Sequence, residues 1–104
     1  MTTEITVAKI EIEFTQCAWG EDVTADEHGA LQDAYEARCT ELVTEAYPDA
    51  EIETKSHDHD GGLKVYAWDV ETMPCDKVIE RITIDLSGQA WQETCERFDE
   101  ITKA

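Results

Sequence analysis

Basic side chains are scarce in this chain: 8 lysines and arginines stand against 25 aspartates and glutamates, for a formal net charge of −17. A field of that size and sign repels phosphate backbones and anionic membrane surfaces, so direct binding to nucleic acid or to a membrane is excluded as an expectation, while basic partners are drawn in at low salt. Cysteines are few and widely spaced (Cys17, Cys39, Cys75, Cys95), with no Cys-x-x-Cys pair from which a zinc site is usually built. No apolar run is long enough for a membrane span, and Met1-Thr2-Thr3-Glu4 lacks the basic n-region of a secretory leader. The expected setting is therefore a cytosol, with the cysteines as free thiols. Glycine and proline number 5 and 2, which leaves no linker and no low-complexity stretch. No Gly-x-Ser-x-Gly elbow is present, and Gly61-Gly62 leads into a strand pattern rather than a phosphate-cradling helix.

What is present is periodic. A length of 104 residues sets one domain, 1–104. Residues 4–14 alternate as a strand, with Ile10, Ile12 and Phe14 on one face and Lys9, Glu11 and Glu13 on the other. The alternation slips near Ala8, which a bulge there, or a strand end covered on both faces, would explain. Thr24 and Glu27 form a capping-box pattern ahead of a helix that Pro48 terminates, with Leu31, Tyr35, Cys39, Leu42 and Ala46 as its buried stripe. Residues 50–56 read as a strand, 57–62 as hairpin turn chemistry, and 63–71 as a return strand. That return strand is apolar on both parities. A central strand would explain this, and so would a second face covered by a partner, so both a monomer and a homodimer are open. Lys77 to Leu86 is expected to be a further strand, through Val78, Ile82, Ile84 and Leu86. Ser87 is then expected to cap a last helix whose stripe is Trp91, Cys95, Phe98 and Thr102. The expected fold class is α+β in the order β-α-β-β-β-α, an antiparallel sheet with two helices packed on one face.

Catalytic constellations are thin. In the run His57-Asp58-His59-Asp60, His57 and His59 share one side of an extended segment and are weak candidate metal ligands, and the run reads first as a polar hairpin tip leading into Gly61-Gly62. Asp69, on an apolar strand, is the one carboxyl placed as a general-acid candidate. The chain is expected to be non-catalytic and without cofactor.

The stronger pattern is carboxylate arrays. From Ile10 to Thr54 thirteen acids accompany a single base, Arg38. Glu93, Glu96 and Glu100 fall at i, i+3, i+7, a row spanning about 10 Å of helix axis. Asp26, Asp33, Glu36 and Glu41 lie on the outer side of the long helix, and Glu11 with Glu13, and Glu51 with Glu53, repeat every ~6.8 Å along strand faces. Rows of one sign at this density are of the order a nucleic-acid-binding groove is built to grip.

In size, acidity and mixed α/β make-up the whole chain resembles the small acidic phage and mobile-element proteins that inhibit host defence nucleases as DNA mimics, including anti-CRISPR proteins. The resemblance implies a non-catalytic inhibitor that occupies the basic nucleic-acid channel of a Cas effector or other nuclease in the host cytosol. That class has no shared motif, so it assigns no site residues. An immunity protein or antitoxin against a basic toxin nuclease shares the same charge, and would differ by holding its partner through an apolar anchor, Trp19 or Tyr66. An ordinary halophilic domain would also be acidic, but the glutamate excess over aspartate, the isoleucine and the cysteine argue against it.

Overall fold

The computed structural model describes residues 7–17, 19–57 and 61–103. Its sheet is built around β1 (Val7–Phe14), where Ile10, Ile12 and Phe14 are buried and Lys9, Glu11 and Glu13 face the other way. The expected bulge is present: the register against β3 shifts between Val7 and Lys9, so that Val7 and Ile10 both turn inward despite their opposite parity. The part of the expected strand before Val7 lies outside the described residues.

The long helix α1 (Ala25–Ala46) starts on a full capping box, with Thr24 Oγ1 accepting from the Glu27 amide and the Glu27 carboxylate accepting from the Thr24 amide. Its last turn closes through the Tyr47 amide on the Val43 carbonyl, one residue before Pro48. Leu31, Tyr35, Cys39 and Leu42 are buried as expected, but the stripe is wider and includes Gln32 and Val43.

Three expectations about the rest of the fold are corrected. First, the sheet is mixed, not antiparallel. β2 (Glu51–Ser56) runs parallel to β1, β3 (Lys64–Asp69) runs antiparallel to it, and the strand order is β2-β1-β3. A helical connection returns the chain to its starting end, so the strand after α1 pairs parallel with the one before it. β2 and β3 are accordingly not paired as a hairpin: β1 lies between them, and at its end the His57 amide donates to the Phe14 carbonyl at 2.9 Å, while residues 58–60 of the expected turn lie outside the described residues. Second, β3 is an edge strand, with Val65 and Ala67 buried and Tyr66 exposed. Residues 73–75 run back beside its end, joined by the Asp69 amide to the Met73 carbonyl and the Cys75 amide to the Ala67 carbonyl.

Third, Lys77 to Leu86 is helical. α2 (Asp76–Glu80), a π-helical turn (Arg81–Leu86) and α3 (Ser87–Glu96) form one continuous rod with helical backbone angles at both junctions. Ser87 therefore caps nothing; its hydroxyl donates to the Thr83 carbonyl within the rod. The rod buries Val78, Ile82, Leu86, Ala90 and Thr94, while Trp91 is partly exposed and Cys95 lies on the surface. The expected stripe through Trp91 and Cys95 is thus shifted by one residue, because the wider π turn rotates everything after it. After Arg97 the chain breaks direction into α4 (Phe98–Thr102). The inward residues of β1 and β3 share one core with Tyr35, Cys39, Leu42 and Val43 of α1 and Ile82, Leu86 and Ala90 of the rod. The helices thus cover one face of the sheet and leave the other, carrying Lys9, Glu11, Glu13 and Tyr66, open.

Candidate partner interface

Placing each carboxylate in the fold sorts the acids into two groups. On the open sheet face they pair sideways with lysine and histidine side chains beside them. Lys9 Nζ lies 3.4 Å from Glu53, Lys55 Nζ 2.9 Å from Glu11, and His57 Nε2 3.1 Å from Glu13. The Glu11 carboxylate in turn raises the Lys55 ammonium above the usual lysine range. The parallel register, Glu13 opposite Lys55 and Lys9 opposite Glu51, makes these diagonal pairs possible. Of the four strand-face candidates, only Glu51 forms no ion pair among the described residues.

The C-terminal row is not a row. α3 ends at Glu96 and the chain turns at Arg97, so Glu100 sits on a different helix from Glu93 and Glu96. Glu93 is turned toward α1, where it accepts from Arg38 Nε at 3.2 Å, and that guanidinium holds its carboxyl below the ordinary glutamate value. Glu96 accepts from Gln92 at 3.3 Å and Glu100 from Arg97 at 3.2 Å.

On α1 the balance is different. Arg38, the single base between Ile10 and Thr54, is held by Glu41 at 3.0 Å and Glu93 at 3.2 Å, which together raise its pKa further. Glu36 is fixed inward, accepting from Gln32 at 2.9 Å and from the Ser56 hydroxyl. Asp26, Asp33 and Glu45 are exposed and have no basic partner among the described residues. The loops at the two ends of α1 add Glu21 and Asp22 before it and Asp49 after it, all exposed. The outer surface of α1 therefore carries a stretch of exposed acids without ion pairs. Asp26 to Glu45 spans 19 residues, about 29 Å of axis.

That surface is rigidly mounted, through a residue the sequence pattern passes over. Gln32 is 3% exposed, and all four of its amide positions are occupied. Its Oε1 accepts from the Cys17 amide at 3.1 Å and from Trp19 Nε1 at 3.2 Å. Its Nε2 donates to the Thr15 carbonyl at 3.2 Å and to Glu36 at 2.9 Å. Trp19 is thereby held as a core plug, stacked on Trp91 at 4.4 Å and edge-on to Tyr35 at 6.0 Å. It is not presented as an anchor. A glutamine one position after a stripe residue was the available signal. Tyr66, like Trp91, is an exposed aromatic, and it lies parallel to Trp68 with ring centroids 6.0 Å apart.

The chemistry-bearing candidates also find places. Asp69 Oδ1 accepts from the amides of Glu71 and Met73 at 2.8 and 3.0 Å, so it closes the turn after β3. His57 is paired with Glu13, and His59 lies outside the described residues. Among the described residues no three His, Cys, Asp or Glu side chains are grouped to hold a metal ion. No described helix is long and apolar enough to cross a membrane. No protein-family model matches the chain, and no curated protein matches it significantly.

Proposed function

We propose that the protein is a non-catalytic acidic inhibitor that occupies the basic nucleic-acid-binding surface of a nuclease, of the CRISPR-effector kind, as a DNA mimic. One observation carries this reading: the outer surface of α1 presents Asp26, Asp33 and Glu45 without counter-charge, while its one base is tied down by Glu41 and Glu93. The overall density agrees. A net charge of −17 along a long axis of 50 Å is about one charge per 3 Å. A single nucleic-acid strand carries about one per 3.4 Å. Lysines and arginines that line a nucleic-acid channel would meet a similar total charge over that length, on a scaffold that needs no ordering on binding.

The test is competition. The immobilised protein, offered a lysate cleared of nucleic acid, should retain a DNA- or RNA-guided nuclease that leaves at moderate salt and is displaced by added duplex or guide RNA. Asp26→Lys combined with Asp33→Lys should weaken retention at least tenfold, and Glu11→Lys on the compensated face should change it little. Equal loss from both variants would sink the placement on α1.

A second reading draws on the exposed Tyr66–Trp68 pair. An immunity protein or antitoxin would use that pair as a central apolar anchor for one basic toxin. Retention that survives high salt, ignores added DNA and disappears in Tyr66→Ala would favour it.

A further inference from the structure

At the end of the sheet where β1 begins, a cleft of about 430 Å³ opens between all three strands. Ala8 and Lys9 of β1 floor it, Glu51 of β2 stands on one side, and Trp68, Asp69, Val70 and Thr72 form the other. We propose that this cleft is an anchor site for an arginine side chain of the basic partner; the proposal rests on the reading above and names the residue type this part of the surface takes.

The lining is mixed in a way that selects its occupant. Trp68 and Val70 offer apolar surface, and Val70 is 75% exposed, a large unburied aliphatic side chain at the rim. Glu51 forms no ion pair among the described residues, although Lys9 stands opposite it in the register. Asp69 has one oxygen held by two backbone amides, and its second oxygen has no partner among the described residues. An uncharged apolar ligand would strip water from both carboxylates and return no hydrogen bond. An anion would meet them head-on. A long basic side chain carries both requirements on one stem: methylenes to lie along Val70 and the indole, and a cation to reach the carboxylates.

Arginine fits better than lysine. Its flat guanidinium stacks on an indole face and presents a fork to a carboxylate, whereas an ammonium does neither as well. Trp68 is already stiffened by its parallel partner Tyr66, at an interplanar angle of 9°, so little side-chain freedom is lost on binding. Lys9 is the one opposing charge in the cleft, and it is drawn toward Glu53 at 3.4 Å instead of toward Glu51, its register partner.

The test is a titration of the full-length, isotope-labelled protein with N-acetyl-arginine amide at low salt, followed by amide and indole N–H shifts, with the lysine and glutamine analogues in parallel. The expected result is saturable movement of the Trp68 indole and of the Ala8 and Val70 amides, several-fold tighter for arginine than for lysine and absent for glutamine. Glu51→Gln, at an exposed position that does not threaten folding, should weaken binding about fivefold by loss of one charge-assisted contact. Lys9→Met should tighten it, and Trp68→Leu should abolish the local response. Arginine shifts spread evenly over the α1 acids without saturation at Trp68 would overturn the proposal, as would equal binding of lysine. If the anchor fails while nucleic acid still competes for α1, the anchor alone is lost. If arginine saturates the cleft but nucleic acid never competes, the cleft stands and the mimic reading falls.

Discussion

Replacing Gln32 by methionine removes four hydrogen bonds while nearly conserving volume, and the structure sets what that should cost. The amide of Cys17 and the indole N–H of Trp19 lose their acceptor, and the Thr15 carbonyl and the Glu36 carboxylate lose a donor. A buried polar group left without a partner costs about 1–3 kcal/mol. Thr15 is buried, whereas Cys17, Trp19 and Glu36 are only partly so and can recover some hydration. Taking the low end for the three partly exposed members and the full range for Thr15 gives a total of roughly 4–6 kcal/mol, a large share of the ~5–15 kcal/mol typical of a small domain. In urea this should lower the unfolding midpoint by more than about 1 M. Hydrogen exchange should localise the effect, with the Trp19 indole and the Cys17 amide losing protection before the sheet does. Gln32→Glu is the companion variant. It keeps the acceptor side but faces a carboxylate toward the Thr15 carbonyl and Glu36, so it should be destabilised at neutral pH and recover on acidification. A loss below about 1 kcal/mol in Gln32→Met, with both N–H groups still protected, would refute the claim that this one amide fixes the loop.

Two further outcomes are expected. Burial pushes the Cys39 thiol up to about 11, while Cys95 is exposed. A thiol reagent at pH 8 should therefore label Cys95 in the native state and Cys39 only after unfolding. The folded Cys39 stays protonated where the unfolded one ionises, so its contribution is intact below its ordinary pKa of 9.0 and is lost as pH rises toward 11. The melting temperature of Cys39→Val should fall less than wild type across that window. Thr72 holds a backbone φ of 62°, a left-handed position costly for a β-branched residue. Thr72→Gly should raise stability by about 1 kcal/mol in urea, and a loss would show that the turn does not strain Thr72.

Where sequence reading failed, the reason is geometric. Val78, Ile82 and Leu86 recur every four residues, a spacing that lies on one face of a strand and also close to one face of a helix. Only Ile84 separates the two periods, since a strand would bury it with the others and it is 62% exposed. The β-branched content of 78–84 tipped the balance the wrong way. The parallel pairing of β1 with β2 is legible in the order strand, helix, strand, because a helix between two strands favours it whatever turn residues follow. The capping box, the bulge at Ala8 and the stripe of α1 were legible because each depends on residues within two turns or a few strand positions of one another. The candidate interface was legible only as an inventory of acids. Which of them keep a free charge depends on Lys9 meeting Glu53, Lys55 meeting Glu11 and Arg38 meeting Glu93, partners brought together by the fold across most of the chain.

The central place of β1 has a consequence during synthesis. Both its edges are completed by strands that come much later, β2 after α1 and β3 only from Lys64. At ~5–20 residues per second the ribosome takes roughly 3–10 s to deliver the chain between Phe14 and Lys64. Through that interval Ile10, Ile12 and Phe14 sit on a strand with two unsatisfied edges, the kind of segment that nascent chains use to stick to one another. Glu11 and Glu13 alternate with them, and Glu51, Glu53 and the acids of α1 emerge next. The same negative charge that would suit a basic partner later would keep neighbouring copies on a polysome apart first, as gatekeepers of an orphan strand.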